Sequence, residues 1–149
     1  MLKASFGVLL AASLFSSTAM AQTTPAPVQP KTENGISYLC GGIGLDESDY
    51  LKSEARSHGL LMTFAARDGS YLANVHVDIA DNRGKPVLAV DCDAPMLLVD
   101  LPRPGSYKIK AQTGGTTLTR TASMQGKRGN RVVFVWPVPA EQPDMGSSK

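Results

Sequence analysis

The residues from which active sites are usually built are scarce in this sequence. It holds two histidines, two cysteines and one tryptophan in 149 residues, little raw material for metal or cofactor chemistry. An excess of one charge is also missing: 15 basic against 13 acidic residues leave a formal charge of +2. A nucleic-acid binder needs a clustered basic excess, so that class is excluded, and nothing drives the chain towards acidic membrane surfaces. There is no GxSxG elbow, no CxxC pair and no repeat at a fixed period. The apolar run from Phe6 to Phe15 is too short for a spanning helix, which needs about 20 residues.

That run reads instead as part of an export signal. Lys3 precedes it, and Ala19-Met20-Ala21 places small residues where a signal peptidase cuts. Cleavage is expected after Ala21, with no lipid-attachable cysteine beyond it, so the protein is expected to be periplasmic or secreted. Residues 22–35, QTTPAPVQPKTENG, carry three prolines and few large apolar side chains, and read as a flexible tether. The end of the chain, 137–149, has the same character and is expected to be disordered. One domain, 36–136, is left between them.

Export changes how the two cysteines read. In an oxidising compartment Cys40 and Cys92 are expected to pair. The loop closed would stabilise the fold by roughly 4 kcal/mol through chain entropy. Two buried free thiols or half of a zinc site are the alternatives.

From Tyr71 to Ala111 apolar and polar residues alternate, broken by turn residues every eight to twelve positions, with no helical period. Similar stretches extend this from Leu60 to Trp136 and give about seven short strands, the count of a two-sheet antiparallel sandwich. With hairpin connections and no crossover helix, a parallel sheet is not expected. Val75, Val77, Leu97, Val99, Tyr107, Ile109, Phe134 and Trp136 fall on the inward phase, and His76 on the outward one. A single helix, about residues 47–57, precedes the strands, and the Cys40–Cys92 bridge is expected to clamp it and the glycine-rich opening onto the sandwich. Asp46, Glu47 and Asp49 crowd the helix start, Arg56 and His58 its end, and Gly59 follows.

Three runs carry a family resemblance: Ala73-Asn74-Val75-His76-Val77, Asp81-Asn82-Arg83-Gly84-Lys85-Pro86-Val87, and Leu101-Pro102-Arg103-Pro104-Gly105-Ser106-Tyr107-Lys108-Ile109. Together they resemble a carboxypeptidase regulatory-like domain, over about residues 60–136. The resemblance implies a transthyretin-like (prealbumin-like) β-sandwich and says almost nothing of function, because such modules accompany many activities. The opening through residue 58 lies outside the pattern, as in small exported bacterial envelope proteins. Transthyretin-like hydroxyisourate hydrolases use histidines, an arginine and a C-terminal Tyr-Arg-Gly-Ser motif. This chain ends Pro-Asp-Met-Gly-Ser-Ser-Lys without that motif, which leaves a hydroxyisourate hydrolase-like enzyme as the third and least expected reading.

Four groups of residues stand out as candidate sites. Cys40-Gly41-Gly42-Ile43-Gly44 before a helix has the look of a phosphate cradle, but Asp46 and Glu47 follow where a Lys-Ser/Thr pair belongs. A close-packing turn is expected there. Asp91, Asp93 and Asp100, with Glu47, offer oxygen ligands for calcium at no known loop spacing. They read as solvated carboxylates. His58 suits a helix C-terminus and His76 an exposed strand face, neither beside a nucleophile. Lys127, Arg128 and Arg131 surround one turn, with Lys108, Lys110 and Arg120 on nearby strands, a possible anion patch that also serves to guard strand edges. The expected function is therefore non-enzymatic and without cofactor or metal: an interaction module for another envelope protein or glycan. The alternative is a small binding protein for a carbohydrate, peptide or anion.

Overall fold

The computed structural model describes residues 20–21, 24, 26–126 and 129–137. Nearly all of the expected leader and of the C-terminal tail, together with Lys127 and Arg128, lie outside the described residues. Nine strands and one helix follow in order: β1 (Lys31–Glu33), β2 (Ile36–Gly41), α1 (Gly44–Glu54), β3 (Leu60–Ala66), β4 (Val75–Asp81), β5 (Pro86–Cys92), β6 (Met96–Val99), β7 (Gly105–Thr113), β8 (Thr116–Met124) and β9 (Asn130–Trp136). They form a five-stranded sheet, β1-β2-β6-β3-β9, and a four-stranded sheet, β5-β4-β7-β8. The protein is a mainly β sandwich with one helix, as its alternation predicts.

Seven of the strands lie in residues 60–136, and two more precede the helix. β2 alternates faces like the others, with Ile36 buried inward and Leu39 buried on the opposite side. β1 is three exposed residues inside the segment read as a tether; it pairs with β2, and nearby Val28 is buried. Neither is conspicuous in sequence, because β1 lies between Pro30 and Gly35 and β2 between Gly35 and Gly42.

The expectation of a wholly antiparallel arrangement is corrected by one pair. β3 and β9 run parallel, Leu60 opposite Asn130 through Ala66 opposite Trp136. A parallel pair needs a long crossover, and here the second sheet together with β6 supplies it in place of a helix. Hairpins within a sheet join only β1–β2, β4–β5 and β7–β8. Alternation reveals which face a residue takes, and leaves the identity of the neighbouring strand open.

The core lies between the sheets. All eight residues assigned to the inward phase are buried, none more than 4% exposed. Phe64, Phe134 and Trp136 cluster within it in tilted and edge-on contacts, with ring centroids 6.1–6.2 Å apart. The Trp136 indole N–H donates to the Thr116 carbonyl (3.1 Å), so its one polar atom is satisfied. The Tyr107 hydroxyl donates to the Arg103 carbonyl (2.7 Å) and ties the Pro-Arg-Pro-Gly turn to the strand that follows it. At the Asp81–Lys85 turn the Asp81 carboxylate accepts the Arg83 and Lys85 amides, both at 2.9 Å, while Gly84 takes a φ of 80°.

A second, smaller apolar cluster sits on the outer face of the five-stranded sheet. Leu51 and Ala55 from α1's side of the cluster meet Leu39, Leu61, Met96 and Leu98, with Val28 at the margin. All four residues of β6 are buried, two towards each cluster, which is why Met96-Leu97-Leu98-Val99 is a continuous apolar run. α1 begins three residues before its expected start and ends at Glu54. No helix among the described residues is long and apolar enough to cross a membrane.

Candidate functional site

Cys40 and Cys92 form a disulfide with Cα atoms 5.7 Å apart. Cys40 lies on β2 and Cys92 on β5, so the bond joins the two sheets. The expected partners are thus correct, while the bond's place differs from a clamp on the helix. Cys92 is fully buried, as its inward phase requires.

The glycine-rich opening is occupied by the protein itself. Glu47 folds back over the start of α1, and its Oε2 accepts the Gly42 and Ile43 amides, each at 3.0 Å. Those N–H groups are the ones an anion would use, so a carboxylate one turn into the helix already neutralises them. Gly42 has a φ of 98°, and a Cβ there would meet the Met96 side chain at 2.9 Å. The turn is shaped by packing.

The four carboxylates considered for calcium are dispersed. Glu47 caps the helix, Asp91 and Asp100 each hold a different histidine, and Asp93 is exposed. Among the described residues no group of three or more His, Cys, Asp or Glu side chains is arranged to hold a metal.

Each histidine is gripped on both ring nitrogens. His58 Nδ1 lies 2.6 Å from Asp100 and its Nε2 3.0 Å from Glu54. His76 Nδ1 lies 2.7 Å from Asp91, its cross-strand partner, and its Nε2 3.4 Å from Asp78. Hydrogen bonding to Glu54 first, then to Asp100, raises the His58 pKa above the ordinary histidine value. Asp91 does the same for His76. Carboxylates on both nitrogens favour the imidazolium and leave no free nitrogen to take a substrate proton. Because both values are raised, these clamps contribute their stability at pH below the ordinary histidine value. That contribution is lost as pH rises through the raised one.

Sequence reasoning located both histidines and missed their partners. Glu54 and His58 stand four apart at a helix end, and Asp78 shares a strand face with His76; both pairings were legible. Asp100 and Asp91 reach their histidines only through tertiary pairing.

Two of the three residues of the expected anion patch, Lys127 and Arg128, lie outside the described residues, which leave Arg131. Arg131 donates to the Lys52 carbonyl (3.2 Å) and so serves the last turn of α1. Lys108 and Lys110 stand on β7, in the other sheet. Arg120, on β8, is exposed at that sheet's edge.

A small cavity of about 160 Å³ opens beside α1. Leu39 and Leu98 belong to its floor, Pro30 and Tyr50 border it, and Glu54, His58 and Asp100 supply its polar end. It is well below the roughly 300–1,000 Å³ of a typical small-molecule site.

The four-stranded sheet ends on β5 and β8. Side chains of β9 cross to β8 at both its ends: Trp136 to the Thr116 carbonyl and Asn130 Nδ2 to the Ser123 carbonyl (2.8 Å). β5 receives no such contact among the described residues. A register shift opposite Ala80 marks its Pro86 end, and the disulfide pins its other end. Between them Ala89 and Asp91 are exposed and Val87 half-buried.

The chain matches no protein-family model and no curated protein.

Proposed function

We propose that this chain is an exported, non-enzymatic interaction module of the bacterial cell envelope, cleaved after Ala21. On this reading it receives an extended segment of a partner polypeptide along β5. The observation that carries the reading is the edge of β5 between Val87 and Asp91, which pairs with no further strand among the described residues. An unpaired edge offers a row of backbone donors and acceptors, which an added strand satisfies. β5 is suited to this because the disulfide holds it rigid, so little ordering entropy is lost on docking. Its outward residues are small or acidic, with no lysine or arginine to repel an incoming strand. The engagement of both histidines supports a role without catalysis.

The reading is tested with a photo-crosslinking residue placed at Ala89 and, as control, at Thr119 on β8. In the native compartment, capture of one discrete partner from position 89 and not from 119 is expected, from protein whose mass begins at Gln22. Ala89→Pro, introduced in a chain crosslinking from Asp91, should abolish capture while the oxidised sandwich stays folded. Equal capture from both strands, or none from β5, overturns the assignment of this edge.

A second reading, a small binding protein, is favoured by the cavity beside α1, whose polar groups converge at one end.

A further inference from the structure

The cavity beside α1 combines three features seldom met without purpose. Its floor is apolar, made by Leu39 and Leu98. Its border includes two half-buried tyrosines, Tyr38 on β2 and Tyr50 on the helix. Its end carries Glu54 and Asp100, whose side chains remain 37% and 47% exposed while each commits one oxygen to His58. The remaining oxygen of each carboxylate is unbonded among the described residues.

Among the described side chains that line this end, the charge balance is negative whatever the state of His58. Two carboxylates against one imidazolium leave one negative charge, and a neutral imidazole leaves two. Every ion pair within 4.0 Å among the described residues involves a histidine, so no lysine or arginine there neutralises Glu54 or Asp100. Among the described residues the titratable side chains that line the cavity with His58 are Glu54 and Tyr50 from α1, Asp100 after β6 and Tyr38 from β2, none of them basic. Gly129 packs against Ala55 and His58, and Lys127 and Arg128 before it lie outside the described residues.

We propose that this cavity receives one basic side chain, a guanidinium or an ammonium, from a partner polypeptide. The volume admits a single long side chain and excludes a folded ligand or an oligosaccharide. An aliphatic stem fits against Leu39 and Leu98, as the methylenes of lysine and arginine do on apolar surfaces. The cationic head then meets the free carboxylate oxygens of Glu54 and Asp100, beside the Tyr50 ring. An anion, one of the three ligand classes considered for a binding protein, is repelled here. The inference deepens the second reading above and is independent of the β5 edge.

Cation binding and His58 protonation oppose each other, because both draw on the same two carboxylates. By linkage, a bound cation must lower the pKa of His58 by the factor through which protonation weakens binding. The test is a titration of the purified, oxidised protein with N-acetylarginine amide, followed by NMR of the His58 ring and the Leu39 and Leu98 methyls. Saturable shifts at all three are expected, with affinity about tenfold greater when His58 is neutral than when it is charged, and a matching fall of one unit in its titration midpoint. The neutral isostere N-acetylcitrulline amide and methyl glucoside should bind at least about tenfold more weakly. Glu54→Gln with Asp100→Asn should abolish the arginine-induced methyl shifts and leave the core resonances in place. An unmoved His58 midpoint, or citrulline or glucoside binding as well as arginine, overturns the proposal. Because the assay uses purified protein and a small probe, its failure leaves the partner-capture experiment at β5 unaffected.

Discussion

Ile109 and His76 lie on neighbouring strands and face opposite sides of the same sheet, so they separate the two things an alternating sequence encodes. Ile109 is fully buried opposite Ile79, between the sheets, and its side chain has no exposed route for relaxation. Ile109→Ala should cost about 2–5 kcal/mol in urea unfolding, through lost burial and the cavity left behind. His76→Ala should cost no more than about 1 kcal/mol, because its partners Asp91 and Asp78 stay hydrated at the surface. Similar losses for both would mean that the register is wrong. At this scale the sequence is highly legible. Period-two alternation needs no knowledge of partners, and the eight residues read as core are buried. The carboxylates that grip the histidines were readable only where the pairing is local, as in Glu54 with His58. Asp100 is 42 residues from His58 and reaches it through the order of strands, which alternation does not contain.

Elements were legible in kind and less so in their ends. The helix was expected from its acidic start, but its first turn begins at Gly44, inside the glycine-rich run. The reason is Glu47: its carboxylate accepts the Gly42 and Ile43 amides from within the helix, so no preceding side chain is needed as a cap. β1 and β2 were missed because three exposed residues and a strand ending in glycine lack the length and β-branched content of a strong strand signal. β9 was found, though its parallel partner was not, since the direction of its neighbour is fixed by a crossover through the whole second sheet. The Glu47 cap gives a test at this scale. Glu47→Ala should destabilise the protein by about 0.5–2 kcal/mol, the range for losing a helix cap, while Ser53→Ala on the exposed face stays within about 0.5 kcal/mol. Hydrogen exchange should show the loss concentrated at the Gly42 and Ile43 amides. A cost for Glu47→Ala no greater than for Ser53→Ala would show that packing of Leu51 alone holds the helix.

Across the described residues the disulfide stands apart from every other contact, because it is the one covalent cross-link between the sheets beyond the chain's own connections. Its partners were legible from two cysteines and an export signal, but its role was read as holding the helix. The structure places both sulfurs between strands, at the side where β2 faces β5. The opposite side, where β8 faces β9, is held by Trp136 and Asn130 side chains. The middle is held by the buried core, which survives reduction. The loop closed by the bond, 52 residues in separation, contributes at most roughly 4 kcal/mol by chain entropy. Reduction should therefore lower stability by up to that amount without unfolding the protein at ambient temperature. Local protection should fall unevenly. β1, β2 and β5 lose their tie, while β3, β4 and β7, central in their sheets or beside the aromatic cluster, keep theirs. α1 should follow β2 only in part, because Leu51 and Ala55 pack on Leu61 and Leu98, which are anchored independently of the bond. Hydrogen exchange on oxidised and reduced protein separates these outcomes. Loss confined to α1 would restore the helix-clamp reading, and equal protection of β2 and β5 in both states would show that apolar packing alone keeps the sheets together at that side.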